Sequence, residues 1–595
     1  MNATAILLTA EEARRFERER PAAARIIALS PVARAALSED SRRLVIDEPL
    51  SDYAHARVLA RAHRAFRRFN DSLTASRRLR AGTLHGLRFT FLLHAYLVSR
   101  IWETLRGGGP WLIPAAQGWL ESGDREEVLA RLADHLGPER GYSRRPPLPF
   151  LFALLRRAVT AILRRRGPWV LSRNQDLIFG LHDRILERDP AWRILVFRIM
   201  GQGLWEYRNL LQTLRDGLSK KRAVRLAVLG DEDEGAHAVL NAAMEAIGDP
   251  VLAAGLTEAM RAHLRHQAGN AEGLFEDGKR AIGALRPRGY VTRQDSGQFA
   301  AIADAAGACG VPRFAVNYNS LPVSGSAIAR AVLEELFRVR MPQGLSDHHA
   351  MWSPHIAAMA RKVYDPEIAE RIRPLRIPPV SANGVGAAAG RPRRVLYAGN
   401  YSEYAYFVPW VMETSNELLG SIESAVEAVL GLKNVELTIR NKPKRELAPD
   451  TLRAFFTESD RLRITGTERP FKQAVAENDL LISFSSTTIE EAILRRTPVL
   501  LWGPTKRYLH LPARTTPPSA NSRSAIYAVA EASELRPMIG AILDAHAGQP
   551  LTDEEIADHV WPDSTPDAAA LADVILGRSE AARSKAARAA AGGLP

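Results

Sequence analysis

Between two apolar runs, "DLLISF" and "PVLLWG", the chain places four consecutive hydroxyl residues, Ser485, Ser486, Thr487 and Thr488, followed by Glu490 and Glu491. Hydroxyls at the start of a helix cap free N–H groups, and those N–H groups with the helix dipole also favour a phosphate. If Thr487 is the cap, "TTIE" fits the capping box, with Glu490 three residues on. Capping alone would account for the run. Its place at a strand's end points further, because open parallel sheets bind ligands outside the carboxyl ends of their strands. Arg495, Arg496 and Pro498 then stop the helix early and return the chain to the next strand.

Other strand ends carry chemistry of the same kind. "LTIRNKPKRE" gathers Arg440, Lys442, Lys444 and Arg445, cations suited to a nucleotide phosphate or to a solvated loop. In "YAGNYSEYAYF", Gly399 permits close backbone approach and Asn400 can donate and accept, although no G-x-G-x-x-G fingerprint is present. Acids at strand ends, Asp231 and Glu232 in "LAVLGDEDEGAH" and Asp295 in "VTRQDSGQ", could act as base or nucleophile, or simply cap helices. His348 and His349 are adjacent, so on a strand they point to opposite faces and make a poor metal pair. No metal site is expected.

These residues need elements to hold them. From about residue 167 to 365, short strand-like runs such as "PWVLS", "VRLAVLG", "GYVTR", "RFAVNYNS" and "HHAMWSP" alternate with helical segments, the pattern of a helix-covered parallel sheet. The Pro-, Gly- and Ala-rich stretch 373–392 reads as a linker. Beyond it, 393–577 repeats the alternation with five strands, "RVLYAGN", "VELTIRNK", "LRIT", "DLLISF" and "PVLLWG", and 578–595 reads as a frayed tail. Residues 1–372 form the other half. Its first 40 residues read as charged helix, "RRLVIDEPL" as a short strand, and about 72–166 as a helical insertion.

Length and composition set the outer bounds. A chain of 595 residues, 46% hydrophobic and 25% charged, is expected to be globular and to split into more than one domain. The net charge of +13 favours an anionic partner: nucleic acid, lipid surface or phosphorylated substrate. No aromatic-basic ladder or helix-turn-helix pattern supports nucleic acid. A single cysteine, Cys309, suits a reducing compartment, and the start "MNATAILLTAEEARRFERER" does not match a signal peptide, so the expected location is cytoplasmic. "FTFLLHAYLVS" is too short to span a bilayer and is expected to be a buried helix. The basic stretch 144–169 could rest on an anionic leaflet or form a solvated edge, which leaves room for a peripheral place on the inner face of the cytoplasmic membrane.

The second half resembles the GT-B glycosyltransferases, two Rossmann-like parallel-sheet domains facing a cleft, here with extra N-terminal helices. "DLLISFSSTTIEEAILRRTPVLLWG" is similar to the strand, Ser/Thr turn, Glu-bearing helix and Pro-Val strand of bacterial surface-carbohydrate and capsule-biosynthesis transferases. The resemblance implies that Ser485, Ser486, Thr487 and Thr488 contact the donor nucleotide or its phosphate, and that Glu490 or Glu491 faces its ribose or base. "IRNKPK" resembles the basic-Pro or His-Pro turn of capsule, teichoic-acid and Kdo-type transferases, with Lys442 where many relatives have histidine. Arg440, Lys442, Lys444 and Asn400 would complete the donor site, and Asp231, Glu232 or Asp295 would supply the catalytic acid.

On that resemblance the chain is expected to be a metal-independent glycosyltransferase with no bound cofactor. It would move a sugar from a nucleotide-sugar donor, first of all a CMP-Kdo type, to a lipid-linked or surface-polysaccharide acceptor. The alternatives are a nucleotide-sugar enzyme like UDP-GlcNAc 2-epimerase, for which His510 is the main candidate histidine, and a non-catalytic scaffold in a polysaccharide assembly complex.

Overall fold

The computed structural model describes residues 3–45, 50–76, 79–133, 149–165, 168–173, 180–199, 215, 222–227, 234–265, 271–293, 300–317, 322–340, 344–379, 391–399, 407–408, 412–441 and 447–578. The first residues correct the expectation of a charged helix. β1 (Ala3–Leu7), α1 (Ala10–Glu19) and β2 (Ala23–Ala28) make a parallel β-α-β unit. Charge had concealed a five-residue, Ala-rich apolar strand. The helix starts late because Thr9 and Glu12 close a capping box: Glu12 N donates to Thr9 Oγ1 at 3.1 Å and Thr9 N to Glu12 Oε2 at 2.9 Å. The expected strand in "RRLVIDEPL" reduces to an isolated bridge from Val45 to Ile26, its remainder lying partly outside the described residues.

Two long helices follow, α2 (Asp52–Ala75) and α3 (Ala81–Thr104), then β3 (Trp111–Pro114), β4 (Trp119–Ser122) and α4 (Arg125–Ala133). The strands complete a small sheet in the order β2-β1-β3-β4. The apolar stretch in α3 is buried, as its length suggested, against α2 and the helices Pro250–His263 and Ala327–Arg340. Among the described residues no helix is long and apolar enough to cross a membrane. α5 (Pro149–Arg164) buries Val159 and Leu163 and leaves Arg157 and Arg164 in solvent.

The first large sheet comprises β5 (Trp169–Ser172), β6 (Arg193–Ile199), β7 (Arg222–Ala227), β8 (Gly289–Thr292), β9 (Arg313–Asn317), β10 (His348–Met351) and β11 (Ile372–Pro374), with α6 (Leu181–Arg188) between β5 and β6. The second comprises β12 (Arg393–Ala398), β13 (Val435–Arg440), β14 (Leu462–Thr465), β15 (Leu480–Ser483), β16 (Val499–Leu501) and β17 (Ile526–Ala528). Within it, α7 (Ser415–Leu430) leads into β13 and α8 (Thr488–Ile493) joins β15 to β16. The orders are β11-β10-β9-β8-β5-β6-β7 and β14-β13-β12-β15-β16-β17, and every pairing is parallel. Counted from its own first strand, each sheet reads 3-2-1-4-5-6, the first with a seventh strand at its edge. That is the doubly wound order of Rossmann-type units, and the chain contains two.

Helices on both faces explain why β15 and β16 are buried at every residue rather than alternating. Leu396, Leu481 and Leu501 meet α8 on one face, while Tyr397, Ile482 and Leu500 join the core that includes α7 on the other. The final helix, α9 (Ala568–Ile575), crosses back: Ala572, Ile575 and Leu576 share a core with Val170, Ile185 and Ile194 of the first unit. Arg376 N donates to Pro566 O at 2.8 Å beside that crossing.

Candidate functional site

In a 3-2-1-4-5-6 sheet the crevice opens where the strand order reverses, between strands 1 and 4. In the second unit these are β12 and β15. Register aligns their carboxyl ends with the neighbours, Tyr397 opposite Ile482, Ala398 opposite Arg440 and Ser483 opposite Leu501. The residues after β15 are Phe484 and the hydroxyl run, so the turn stands at this unit's switch point. In the first unit the switch strands are β5 and β8. Ser172 ends β5, and its Oγ lies 2.9 Å from His182 Nε2, both side chains buried.

The expected capping box at Thr487 does not form. α8 begins at Thr488, Thr487 has helical backbone angles, and its side chain makes no cap bond. Ser486, one residue earlier, takes the role: its buried Oγ accepts from Thr488 N at 3.2 Å. Glu490 is therefore not held at the helix start. It turns inward, where His510 Nε2 lies 3.3 and 3.4 Å from its two carboxylate oxygens, both residues being buried. Ser485 and Thr487 remain half-exposed, and Thr488 Oγ1 lies 3.5 Å from Ser483 Oγ. The run thus divides into a cap and a rim.

Arg440 ends β13 on the same edge. Its Nη2 donates to Arg469 O at 2.8 Å, its guanidinium lies 5.5 Å from the Phe471 ring centroid, and Glu491 and Glu468 lie within its electrostatic reach. Burial lowers its pKa, against the pull of those two acids, yet a guanidinium stays charged at any working pH. Asp231, Glu232, Asp295, Asn400, Lys442 and Lys444 lie outside the described residues. His349 is buried on β10 while His348 stacks on Phe314 at 4.9 Å, the opposite-face arrangement that adjacent strand residues require.

The segment 502–511 after β16 joins this edge to the rest of the molecule. Trp502 N donates to Ser483 O at 3.1 Å. Gly503 has φ of +154°, and a Cβ there would sit 3.0 Å from Phe484 Cβ, so glycine is needed for the segment to pass the turn. Val323 and Leu509 exchange backbone bonds of 2.8 and 2.9 Å, and Ser324 Oγ donates to Arg507 O at 2.7 Å. Since 322–324 follows β9 and 507–509 follows β16, the carboxyl edges of the two sheets face each other.

Beneath that segment lies a polar network, largely buried but exposed at Asp52, that sequence reasoning missed. Arg507 Nη1 donates to Glu413 Oε1 at 2.9 Å, and its Nε to Asp52 Oδ1 at 2.9 Å. Arg100 Nη2 donates to Glu417 Oε1 at 2.5 Å, and Tyr96 Oη to Met412 O at 2.5 Å. His55 Nε2 lies 2.7 Å from Tyr508 Oη. Burial, with Glu417 alongside, pushes Glu413 well above the usual carboxylate range. Burial opposes ionisation of Glu417 too, but Arg100, the hydrogen bond from Glu413 and the Thr414 N–H hold it at about 2. The two neighbouring acids are therefore pushed in opposite directions. "TSNE" carried one available signal, the Thr414–Glu417 capping box of α7.

A cavity of about 700 Å³ adjoins the network, lined by Asp52, Glu413, Asn416, Glu417, Trp502 and Lys506 among others. Asn416 Nδ2 donates to Ala28 O at 2.6 Å, which ties the small N-terminal sheet to α7.

No family model matches the chain, and no curated protein does. Solved structures do align with it. A putative UDP-N-acetylglucosamine 2-epimerase from Listeria monocytogenes is 13% identical with a TM-score of 0.40, covering 69% of this chain and 95% of its own. MurG from Acinetobacter baumannii is 11% identical with a TM-score of 0.36, covering 69% and 99%. HepE from Anabaena, in complex with UDP-glucose, is 11% identical with a TM-score of 0.37, covering 71% and 99%. The assignment of two Rossmann-type units rests on their strand orders and parallel pairing.

Proposed function

We propose that the chain is a glycosyltransferase of the GT-B type, with a nucleotide-sugar donor held by the second Rossmann-type unit and the acceptor by the first. The observation that carries this reading is the hydroxyl turn at the switch point between β12 and β15, on the same sheet edge as Arg440 and facing the edge of the first sheet. Ser485 and Thr487 would bond the donor phosphate, and Arg440, with Lys442 and Lys444 next in sequence, would neutralise it as it leaves. Glu491, within electrostatic reach of Arg440, is better disposed to meet the ribose than Glu490, which is engaged with His510.

Asp295 follows β8, a switch strand, by three residues, whereas Asp231 and Glu232 follow β7 at the far edge. Three strand spacings, about 14 Å, lie between β7 and β8. Asp295 is therefore the preferred base. It would take the acceptor hydroxyl proton as the new bond to the anomeric carbon forms and the bond to the nucleotide phosphate breaks. The resemblance makes CMP-Kdo the first donor to test and a lipid-linked or surface-polysaccharide acceptor the first class to supply, with the enzyme working at the inner face of the cytoplasmic membrane.

The deciding experiment is a thermal-shift screen with CMP, UDP, GDP and CDP. A nucleotide at 100 times its Kd should stabilise the fold by about 2.7 kcal/mol, and Arg440→Ala should abolish the shift while lowering the unliganded melting point only as far as the lost contacts to Arg469 and Phe471 require. If none of the four shifts it, the reading fails. One observation favours a second reading, a UDP-GlcNAc 2-epimerase-like enzyme: His510 and Glu490 form a buried pair immediately behind the turn. Conversion of UDP-GlcNAc with no acceptor present, lost in His510→Gln, would replace the transferase reading with that one.

A further inference from the structure

Three helices outside both Rossmann-type sheets border a second, open cavity of about 420 Å³. Arg57, Arg61 and Arg64 line it from α2, spaced so that they share one helix face. α3 contributes Ser99, Trp102 and Glu103, the turn after it Arg106, and the first residue of α4 is Arg125. Five arginines in one cavity would repel one another unless anions were shared among them.

The protein's own carboxylates only partly balance them. Glu103 pairs with Arg57 and lies 3.5 Å from Arg106 Nη1, and Asp249 takes a two-pronged bond from Arg61 at 2.7 and 2.8 Å. Five cations against these two acids leave three positive charges uncompensated, and neither Arg64 nor Arg125 has an ion-pair partner among the described residues.

Arg125 is the most telling. Its guanidinium lies 3.7 Å from the Trp102 ring centroid, which fixes its plane, while Nε and Nη2 are buried without an acceptor. Burial lowers its pKa, and Arg61 and Arg106 add to this against the pull of Glu103. Ser99, 2% exposed, also has its Oγ unpartnered, as does Arg57 its Nε. Buried donors left without acceptors are costly, and these belong to residues that line one cavity from three helices.

We infer that this cavity binds a phosphoryl group carrying more than one negative charge, a diphosphate or a phosphomonoester, between Arg64, Arg125 and Ser99. A tetrahedral anion with several acceptor oxygens can engage donors arriving from three sides, and planar guanidinium forks fit it in pairs. A single carboxylate would leave most of the donors and two of the charges unmet. The volume lies within the range of small-ligand sites. The inference is independent of the donor-site reading, because none of these helices belongs to either large sheet.

The test is calorimetric titration of the full chain with inorganic pyrophosphate and orthophosphate, in an Arg440→Ala background so that the donor edge does not contribute. A parallel arm measures co-sedimentation with phosphatidylcholine vesicles containing phosphatidic acid, against phosphatidylcholine alone. Arg125→Gln and, separately, the exposed Arg64→Gln should each weaken the bound probe by about tenfold or more, and raised salt should weaken it in the parent. Binding to the soluble probes that the variants lose identifies a free phosphate ligand; binding only to phosphatidic acid vesicles, similarly lost, identifies a lipid phosphate. Should Arg125→Gln fail to fold, Arg64→Gln alone decides. The inference is overturned if neither probe class binds, or if the variants bind as the parent does.

Discussion

Arg100 and Glu417, 317 residues apart in sequence, meet at 2.5 Å with Arg100 buried and Glu417 largely so, and so join α3 to the first turn of α7. The pair connects the N-terminal helices to the second Rossmann-type unit. Its partners confirm that it is not isolated, since Arg100 Nη1 also donates to Tyr96 Oη at 3.3 Å and Glu417 Oε2 accepts from Thr414 N at 2.8 Å. Removing one member strands the other's charge. Arg100→Met should therefore destabilise the protein by about 3–5 kcal/mol, read from the urea midpoint, and the double variant Arg100→Met with Glu417→Leu should recover much of that loss.

Acid should destabilise the fold well before its carboxylates titrate. His55 and His263 are buried, and burial brings both down to about 3, aided by Arg507 and Arg100 at His55 and by His94 at His263. A histidine whose folded pKa is depressed contributes stability in full above its unfolded value near 6.5 and loses it as pH falls toward 3. Within that window each costs about 1.4 kcal/mol per pH unit. Unfolding free energy measured from pH 7 to 4 should fall by the sum of these shares, with His85 acting in the same direction, and His55→Gln should remove one histidine's share.

Gly503→Ala tests whether the segment after β16 positions the hydroxyl turn. The added Cβ meets Phe484, and the backbone angle is one that L residues rarely adopt. Stability should drop by about 1–3 kcal/mol. If the turn is displaced as well, any nucleotide-induced thermal shift should shrink by more than the fold is weakened.

The divided roles of the turn predict different outcomes for neighbouring hydroxyls. Ser486→Ala removes the acceptor for Thr488 N and should cost roughly 0.5–2 kcal/mol of stability. Ser485→Ala and Thr487→Ala should leave the unliganded melting point nearly unchanged and reduce the nucleotide shift instead. Equal losses of stability at all three positions would mean that the run serves only to cap.

Much of the second unit was legible because its strands are compact apolar runs bounded by turn residues, as in "DLLISF" and "PVLLWG". β17 escaped notice because alanines flank and dilute the apolar signal of Ile526–Ala528 in "SAIYAVAEA". β1 escaped because alanines dilute its apolar signal and a charged helix follows at once. Beyond the Thr414–Glu417 capping box, the Glu413–Glu417 network could not have been read. Its members come from α2, α3, α7 and the segment after β16, and only the folded chain brings Asp52 and Arg507 within 2.9 Å. The cap at Ser486 shows the limit of motif reading: the Ser/Thr-x-x-Glu pattern fits Thr487, but Glu490 finds a buried partner in His510 instead.

The return of α9 to the first sheet bears on how the chain is made. Val170, Ile185 and Ile194 have been synthesised by residue 199, but Ala572, Ile575 and Leu576, which share their core, emerge nearly four hundred residues later. Until then the first unit carries an apolar face that its own nearby sequence does not close, and such faces invite association with other chains. Synthesis of this protein thus has a long interval of exposure written into its topology, ended by one eight-residue helix.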